Sequence, residues 1–326
     1  EFRRVLFRSA LKNARIAWML DTGQSATSGD LGFCERSEMA GMRLRVAVPG
    51  RALARAGAIN TLISIAPDDE WRGLSPSPQI AVFSKPFIYQ NAEQDDKTFR
   101  YVRAAESLKK TGTKILLDMS DNLFADPRRD YALNLLKIAD GIVTSSTILQ
   151  AQIREHSGRD ATVIAEPVEG SFATGKFEPP RSSLVTRWLA RAGGQPLKLL
   201  WFAGQALHFR ALMRWKDDLA KLAKRQHLVL DLVARPSAEV EAGVRQFNEL
   251  GISATLHPWS LAAMEQRFAA CDLVLLPTDS TNNHTFTASP NRLVSALWSG
   301  RFPIAGVIPS YLELKEFTWK IGRPHV

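Results

Sequence analysis

The clearest candidate for chemistry is a late stretch that predicts a helix with a basic side chain at its start. Ser289 is a favoured N-cap residue, Pro290 suits the first helical position, and Gly300 is typical of a helix end. Asn291 and Arg292 would lie in the first turn, beside unpaired backbone N–H groups and the positive end of the helix dipole. An arginine is unfavourable there unless an anion joins it. The stretch therefore predicts an anion site, most simply for a phosphate.

Alternating strands and helices surround this stretch. Short apolar runs closed by Gly or Pro predict strands, and apolar residues at helical spacing predict helices. The predicted strands are residues 15–20, 43–48, 60–66, 79–83, 114–118, 141–145, 161–165, 197–203, 227–234, 252–256, 272–276 and 302–305. Besides the helix at Ser289, the predicted helices are residues 97–110, 128–139, 146–156, 183–192, 208–224, 238–250 and 261–270. This alternation predicts an α/β protein with mostly parallel sheets covered by helices on both faces.

The alternation is interrupted once, which predicts two Rossmann-like domains. Residues 10–169 form the first domain, residues 170–196 are a polar, proline-bearing linker, and residues 197–326 form the second domain. We set residues 1–9 aside as a non-native-looking tail, because they lack the apolar region of a targeting signal. Two such domains would face each other across a cleft at the carboxyl ends of their strands, where open α/β sheets bind ligands.

The composition is that of an ordinary globular protein in a reducing compartment. Of 326 residues, 45% are hydrophobic and 23% are charged, and no apolar run is long enough to span a membrane as a helix. Cys34 and Cys271 stand far apart without CxxC spacing, which excludes a disulfide framework or a zinc site. We expect a soluble, cytoplasmic protein.

The chain is basic, with a formal net charge of +9. The excess falls in the second half, where it would suit nucleic acid, an anionic membrane surface or a phosphorylated ligand. No basic block or nucleic-acid-binding motif occurs, so we do not expect a nucleic-acid partner. A peripheral contact with the inner face of a membrane stays open.

The second half resembles GT-B glycosyltransferases, and most closely the bacterial group 1 / family 4 proteins. The resemblance extends over residues 197–317, and the first domain matches in layout. It rests on the segments LWFAG at 200–204, HPWS at 257–260, CDLVLLP at 271–277, SPNR at 289–292, GRFP at 300–303 and PSYLE at 309–313. Retaining sugar transfer from a nucleotide-diphosphate sugar, without a bound metal or other cofactor, is what this resemblance implies.

The resemblance also implies where the donor binds. Its diphosphate would lie at the Ser289 helix, while His257 and Trp259 would hold the base and ribose. Arg292 would supply charge-assisted hydrogen bonds, and Arg210 would reach the same diphosphate. The implied donor-binding residues are Gly204, Gln205, Arg210, His257, Trp259, Ser289, Asn291 and Arg292. The first domain would hold the acceptor, which is a saccharide, a lipid-linked saccharide or a protein.

A catalytic residue is harder to choose. Asp118 and Asp121 end a predicted first-domain strand on the cleft side, so Asp121 is a candidate general base or acceptor contact. Capping of the following helix or loop explains these carboxylates equally well. The glycine-bearing turn at residues 22–32 lacks GxGxxG spacing, which disfavours NAD.

The sequence departs from the family pattern at the helix itself. Family members carry a Glu at each end of a seven-residue spacer, where this chain has Ala288 or Ser289 and Ser295. Related proteins often have a lysine where Ala288 stands. These departures keep open a catalytically inactive GT-B binding or scaffold protein. The chain also stops soon after the segment at Tyr311, so we expect a C-terminally truncated fragment.

A GT-B sugar-nucleotide epimerase is a third hypothesis. Such an enzyme needs acid–base groups near the donor sugar, and the second domain shows no clear carboxylate–histidine constellation in its sequence. This hypothesis is therefore less favoured than transfer or binding.

Overall fold

A computed structural model describes residues 11–22, 25–66, 71–84, 99–124, 129–169, 194–204, 207–279 and 286–321. The chain divides into two compact units. Unit 1 is Glu1–Glu169 with Thr287–Ser289, and unit 2 is Gly170–Phe286 with Pro290–Val326. The predicted helix at 183–192 and most of the predicted linker lie outside the described residues.

Unit 1 is built on a sheet that, in the described residues, has seven strands. Their order is β2-β3-β1-β4-β5-β6-β7, and all pairs are parallel except β2 with β3. The strands are β1 (Arg15–Met19), β2 (Ala26–Ser28), β3 (Ile59–Ser64), β4 (Ile80–Ser84), β5 (Lys114–Met119), β6 (Gly141–Thr144) and β7 (Thr162–Val163). Buried apolar clusters cover both faces of this sheet, as expected for parallel strands.

The helices of unit 1 pack against these clusters. They are α1 (Gly32–Glu35), α2 (Ala40–Met42), α3 (Val48–Arg55), α4 (Arg100–Lys110), α5 (Arg129–Ile138) and α6 (Thr147–Ser157). Ser146 caps α6, since its Oγ accepts a hydrogen bond from the Leu149 N–H.

The strand predicted at residues 43–48 is wrong. The structure has a π-helix over Arg43–Ala47 that continues into α3. Arginine alternating with aliphatic residues suggested a strand with one solvated face, but both arginines are buried. Arg43 pairs with Glu169 at 2.8 Å, and Arg45 pairs with Asp118. Buried ion pairs therefore replace the solvated face that the alternation implied.

Unit 2 is built on a sheet that has six parallel strands in the described residues, in the order β10-β9-β8-β11-β12-β13. Numbered within the unit, this is the 3-2-1-4-5-6 order of the Rossmann fold, in which ligands bind at the carboxyl ends near the reversal point. That point lies between β8 and β11. The strands are β8 (Leu197–Ala203), β9 (Leu228–Ala234), β10 (Ser253–Pro258), β11 (Leu273–Leu276), β12 (Phe302–Gly306) and β13 (Trp319–Ile321).

The single helix predicted over residues 208–224 is two helices. Met213 and Trp215 both pack against the core of unit 2, and residues two apart cannot share one side of a continuous helix. The break between them resolves this conflict. The helices of unit 2 are α7 (Leu207–Met213), α8 (Lys216–Ala223), α9 (Ala238–Glu249), α10 (Leu261–Ala270), α11 (Asn291–Trp298) and α12 (Pro309–Leu312), followed by a 3-10 turn (Lys315–Phe317).

Helix α11 is the predicted anion-site helix, and its two ends differ in how well they were predicted. Its N-cap is Pro290 without a side-chain cap bond, so the Ser289 cap is wrong by one residue. Its C-terminal end is confirmed. Gly300 has φ +66°, and its N–H donates to Leu297 O at 2.9 Å. The backbone N–H of Arg301 donates to Ala296 O at 3.1 Å. This is a Schellman motif.

Candidate functional site

Arg292, in the first turn of α11, is a cation whose hydrogen-bonding groups are not satisfied. Its Nε and Nη2 are buried and have no hydrogen-bond partner among the described residues. Its Cζ lies 5.3 Å from the centroid of the Phe202 ring, within cation–π range. Buried donors of a charged side chain are normally bonded, so this exception indicates a position for a ligand.

The groups around Arg292 do not neutralise its charge. Burial lowers the pKa of the guanidinium, and Tyr311 opposes that effect. Burial and the charge of Arg292 lower the pKa of His208 to about 4, so this imidazole is neutral near pH 7. Burial raises the pKa of Tyr311, whose phenol also stays neutral. Among the described residues no carboxylate pairs with Arg292, which leaves the site with a net positive charge.

Phe202 connects Arg292 to a second predicted residue. It lies near the carboxyl end of β8 and is 4% exposed. The Trp259 ring stacks on it, with centroids 6.5 Å apart and an interplanar angle of 18°. The backbone N–H of Trp259 donates a hydrogen bond to Ala234 O, at the end of β9. The structure thus brings the predicted Trp259 and Arg292 together on one unpredicted ring, at the carboxyl edge of the sheet.

His257 lies within β10 rather than in the predicted loop. Its Nε2 is 2.6 Å from Asp231 Oδ1 on the neighbouring strand β9, and Arg267 Nη1 is 3.7 Å from the same oxygen. Unit 2 therefore contains a carboxylate–histidine pair that its sequence did not indicate. Asp231 stands inside an apolar strand, and only the parallel pairing of β9 with β10 reveals its partner.

Four other residues were predicted to bind the donor: Gly204, Gln205, Ser289 and Asn291. Gly204 is exposed, and no atom of the described residues lies within 4 Å of a Cβ built on it. Gln205 lies outside the described residues. Ser289 and Asn291 are half-buried, and among the described residues their side chains have no hydrogen-bond partner. Open space above Gly204 leaves room for a ligand near the end of β8.

Arg210 has a different environment from the one expected. It is 71% exposed and its Nε forms an ion pair with Glu239 Oε1 at 3.0 Å. It follows His208 by two positions in α7, so the two side chains leave the helix on different sides. His208, which sequence reasoning missed, interacts with Arg292 instead. Its only sequence signal is its place in the first turn after Gly204.

In unit 1 the two candidate carboxylates differ in their surroundings. Asp118 is buried and accepts hydrogen bonds from Arg45 Nε at 3.0 and 3.2 Å, from Arg45 Nη2, and from Ser84 Oγ at 3.1 Å. This ion pair explains Asp118 by structure alone. Asp121 is half-buried in the turn after β5. Its catalytic role stays a prediction.

The described residues offer few groups for thiol or metal chemistry. Cys34 and Cys271 are buried, and burial raises the pKa of both thiols to about 12, so neither is a ready nucleophile. The described residues contain no cluster of three or more His, Cys, Asp or Glu side chains suited to a metal ion. They also contain no helix with the length and apolar character needed to cross a bilayer.

Known proteins resemble this chain in structure rather than in sequence. No family model and no curated protein matches the sequence. HepE of Anabaena, solved with UDP-glucose, aligns over 96% of this chain and 86% of its own, with 14% identity and a TM-score of 0.57. A glycosyltransferase from Rickettsia africae aligns over 96% and 85%, with 11% identity and a TM-score of 0.55. The lipopolysaccharide outer core galactosyltransferase WaaB aligns over 90% and 81%, with 16% identity and a TM-score of 0.50.

These likenesses extend over nearly the whole chain, including both sheets. They confirm the predicted fold class: the chain has the GT-B fold, with two Rossmann-like units. At 11 to 16% identity they speak for the fold. What the chain binds must be argued from its own side chains.

Proposed function

We propose that this protein transfers a sugar from a nucleotide-diphosphate sugar to an acceptor, with the donor diphosphate bound at Arg292. The observation that carries the proposal is the half-buried Arg292, whose buried Nε and Nη2 have no partner among the described residues. A diphosphate supplies acceptor oxygens in the geometry that a guanidinium binds best. The structural neighbours support this choice, because HepE was solved with UDP-glucose and two others are described as glycosyltransferases.

Arg292 would act on the leaving group. In the transfer step the bond from the sugar C1 to the diphosphate oxygen breaks, and negative charge grows on that oxygen. A fixed cation in a poorly solvated site stabilises such charge more than water does. The N–H groups of the first turn of α11 add to this effect, as at other helix starts that bind phosphate.

The rest of the proposed donor site would hold the nucleoside. Trp259 offers an aromatic surface beside Phe202, and Asp231 fixes the ring of His257 by a hydrogen bond. Gly204 leaves space for close approach of the ligand. The acceptor hydroxyl must lose a proton as the new C1–O bond forms, and Asp121 is the candidate base. We place retention of the anomeric configuration in the same proposal, on family resemblance.

Two other functions compete with transfer, and each has an observation in its favour. A binding or scaffold role is favoured by Ala288 and Ser295, which stand where family members carry glutamates. Epimerisation of a nucleotide sugar gains support from the pair of Asp231 with His257, a carboxylate and an imidazole able to move a proton.

One assay separates the three functions. The full chain is incubated with UDP-, GDP- and CMP-sugars, with and without a panel of saccharide acceptors, and the products are analysed by mass spectrometry and NMR. Transfer predicts free nucleoside diphosphate that depends on an acceptor and is lost in Arg292→Ala. Epimerisation predicts an isomeric nucleotide sugar without any acceptor, and a binding role predicts thermal stabilisation with no product. Arg210→Ala serves as the matched control, and product loss in this variant would contradict the proposed site.

A further inference from the structure

Unit 1 contains a cavity that shares no described lining residue with the proposed nucleotide site. Its volume is about 380 Å³, within the range of about 300–1,000 Å³ typical of small-molecule sites. The lining comprises residues 25–27 at the start of the edge strand β2, residues 63–65 at the end of β3, and residues 71–74. All of them belong to unit 1. Carboxyl ends of parallel strands are where open α/β sheets bind ligands.

Two donors on the cavity wall lack acceptors. The Trp71 Nε1–H is buried and has no hydrogen-bond partner among the described residues. Its neighbour Arg72 is exposed and, in the described part of the chain, has neither an ion pair nor a hydrogen bond. A buried indole N–H normally finds a partner. An acceptor-bearing group in the cavity would satisfy the indole and the guanidinium side by side.

Another part of the lining is apolar and well packed. Ile63 and Ile65 are 3% and 5% exposed, and Leu74 packs against the same core. Hydroxyls nearby are already engaged: Ser64 Oγ accepts from the Thr22 N–H at 3.0 Å, and Ser25 Oγ accepts from the Ala66 N–H at 3.0 Å. These bonds hold Ser25 and Ser64 in place, whereas Trp71 Nε1 and the Arg72 side chain have no partner among the described residues.

We infer that this cavity binds a hydroxylated ring that carries one anionic group, namely a sugar acid or a sugar phosphate. The isoleucine wall accommodates the less polar face of the ring, the indole N–H binds a ring oxygen or hydroxyl, and Arg72 binds the anion. No Asp or Glu is among the described residues that line the cavity. The inference does not depend on the proposed sugar transfer, because its site and its readout involve no nucleotide.

Calorimetric titration of the full chain, without nucleotide, tests the inference. The probes are glucuronate, glucose 6-phosphate, neutral glucose and inorganic phosphate. We expect at least one of the two anionic sugars to bind, about tenfold or more tightly than glucose and than phosphate alone, since a charge-assisted hydrogen bond is worth roughly a factor of ten. Glucuronate and glucose 6-phosphate distinguish a carboxylate from a phosphate as the anion.

Variants locate the binding. Trp71→Phe removes the N–H and keeps an aromatic ring, and Arg72→Gln removes the charge; each is expected to weaken the preferred sugar about tenfold. Arg55→Gln makes the same charge change on α3, away from the cavity, and should leave the affinity unchanged. Circular dichroism and thermal unfolding without ligand confirm that each variant folds. The inference is overturned if neither anionic sugar binds, if glucose or phosphate binds as tightly, or if Arg55→Gln weakens binding as much as Arg72→Gln.

Discussion

The guanidinium of Arg292 lies over the ring of Phe202, with 5.3 Å between Cζ and the ring centroid. A cation–π contact contributes about 0.5–2 kcal/mol, whereas removing a cation from water costs several kcal/mol even after relaxation. The ring therefore does not offset the cost of burying this charge. An arginine kept at such a cost, without a carboxylate among the described residues, is typical of a site where stability is lower so that a ligand can bind.

Removal of the Arg292 charge should not destabilise the nucleotide-free protein. We expect Arg292→Met to keep or raise the free energy of unfolding, because it relieves buried donors without partners. Arg301→Met is the matched contrast, since Arg301 is also buried but donates to Phe268 O at 2.6 Å and Ala269 O at 2.9 Å. Its loss should cost about 2–3 kcal/mol. Denaturant unfolding measures the free energy of unfolding of both variants. Equal destabilisation by Arg292→Met and Arg301→Met would contradict the prediction.

His208 should remain neutral until the pH is well below 6. Burial first, and then the Arg292 charge, lowers its pKa from 6.5 to about 4. The unfolded chain therefore binds a proton at higher pH than the folded chain, and stability falls as the pH drops from about 6.5 to about 4. His208→Leu should flatten this part of the stability profile, while His227→Gln should not. NMR titration in Arg292→Met should show an upward shift of the His208 pKa, and an unchanged value would contradict the effect of the Arg292 charge on His208.

The buried pair of Arg45 and Asp118 should behave as a structural element. Replacing either residue alone by Leu leaves the other charge buried, which typically costs about 3–5 kcal/mol. The double variant should lose less than the sum of the single variants. Arg154→Leu, which breaks an exposed pair with Asp160, should change the free energy of unfolding by less than about 1 kcal/mol. Additive losses at Arg45 and Asp118 would show that the two side chains act independently.

Gly204 and Gly306 should respond differently to alanine. A Cβ on Gly204 meets no atom within 4 Å, so Gly204→Ala should fold with unchanged thermal stability. A Cβ on Gly306 would lie 2.8 Å from the backbone nitrogen of Thr278, and such overpacking costs about 1–3 kcal/mol. If nucleotide approaches the backbone at Gly204, its Kd should rise about threefold in Gly204→Ala. Thermal unfolding with and without nucleotide tests both statements.

Much of the fold could be predicted because local patterns and tertiary structure agree. Strands β8, β9 and β11 are mostly apolar runs, and β8 and α10 were predicted with correct bounds. The strand prediction at residues 43–48 was wrong because it took no account of distant partners. Arg43 bonds to Glu169 and Arg45 bonds to Asp118, which are 126 and 73 residues away in the chain. No local pattern contains such a partner.

The candidate site was likewise predicted only in part from the sequence. Arg292 could be predicted, because its residue type and its place at a helix start conflict locally. Its contact with Phe202, the neutral His208 and the pairing of His257 with Asp231 depend on strand order and side-chain direction, which the sequence alone does not give. Arg210 was proposed from proximity in sequence, and its ion pair with Glu239 depends on which side of α7 it occupies.

The affinity of the protein for UDP and GDP tests the central claim most directly. Isothermal titration calorimetry is carried out on the full chain, on Arg292→Gln and on Arg210→Gln. We predict that one nucleoside diphosphate binds, that Arg292→Gln raises its Kd about tenfold or more, and that Arg210→Gln changes it by less than about twofold. Binding that is equally tight in Arg292→Gln, or the absence of binding by either nucleotide to the unaltered chain, would contradict a diphosphate site at Arg292.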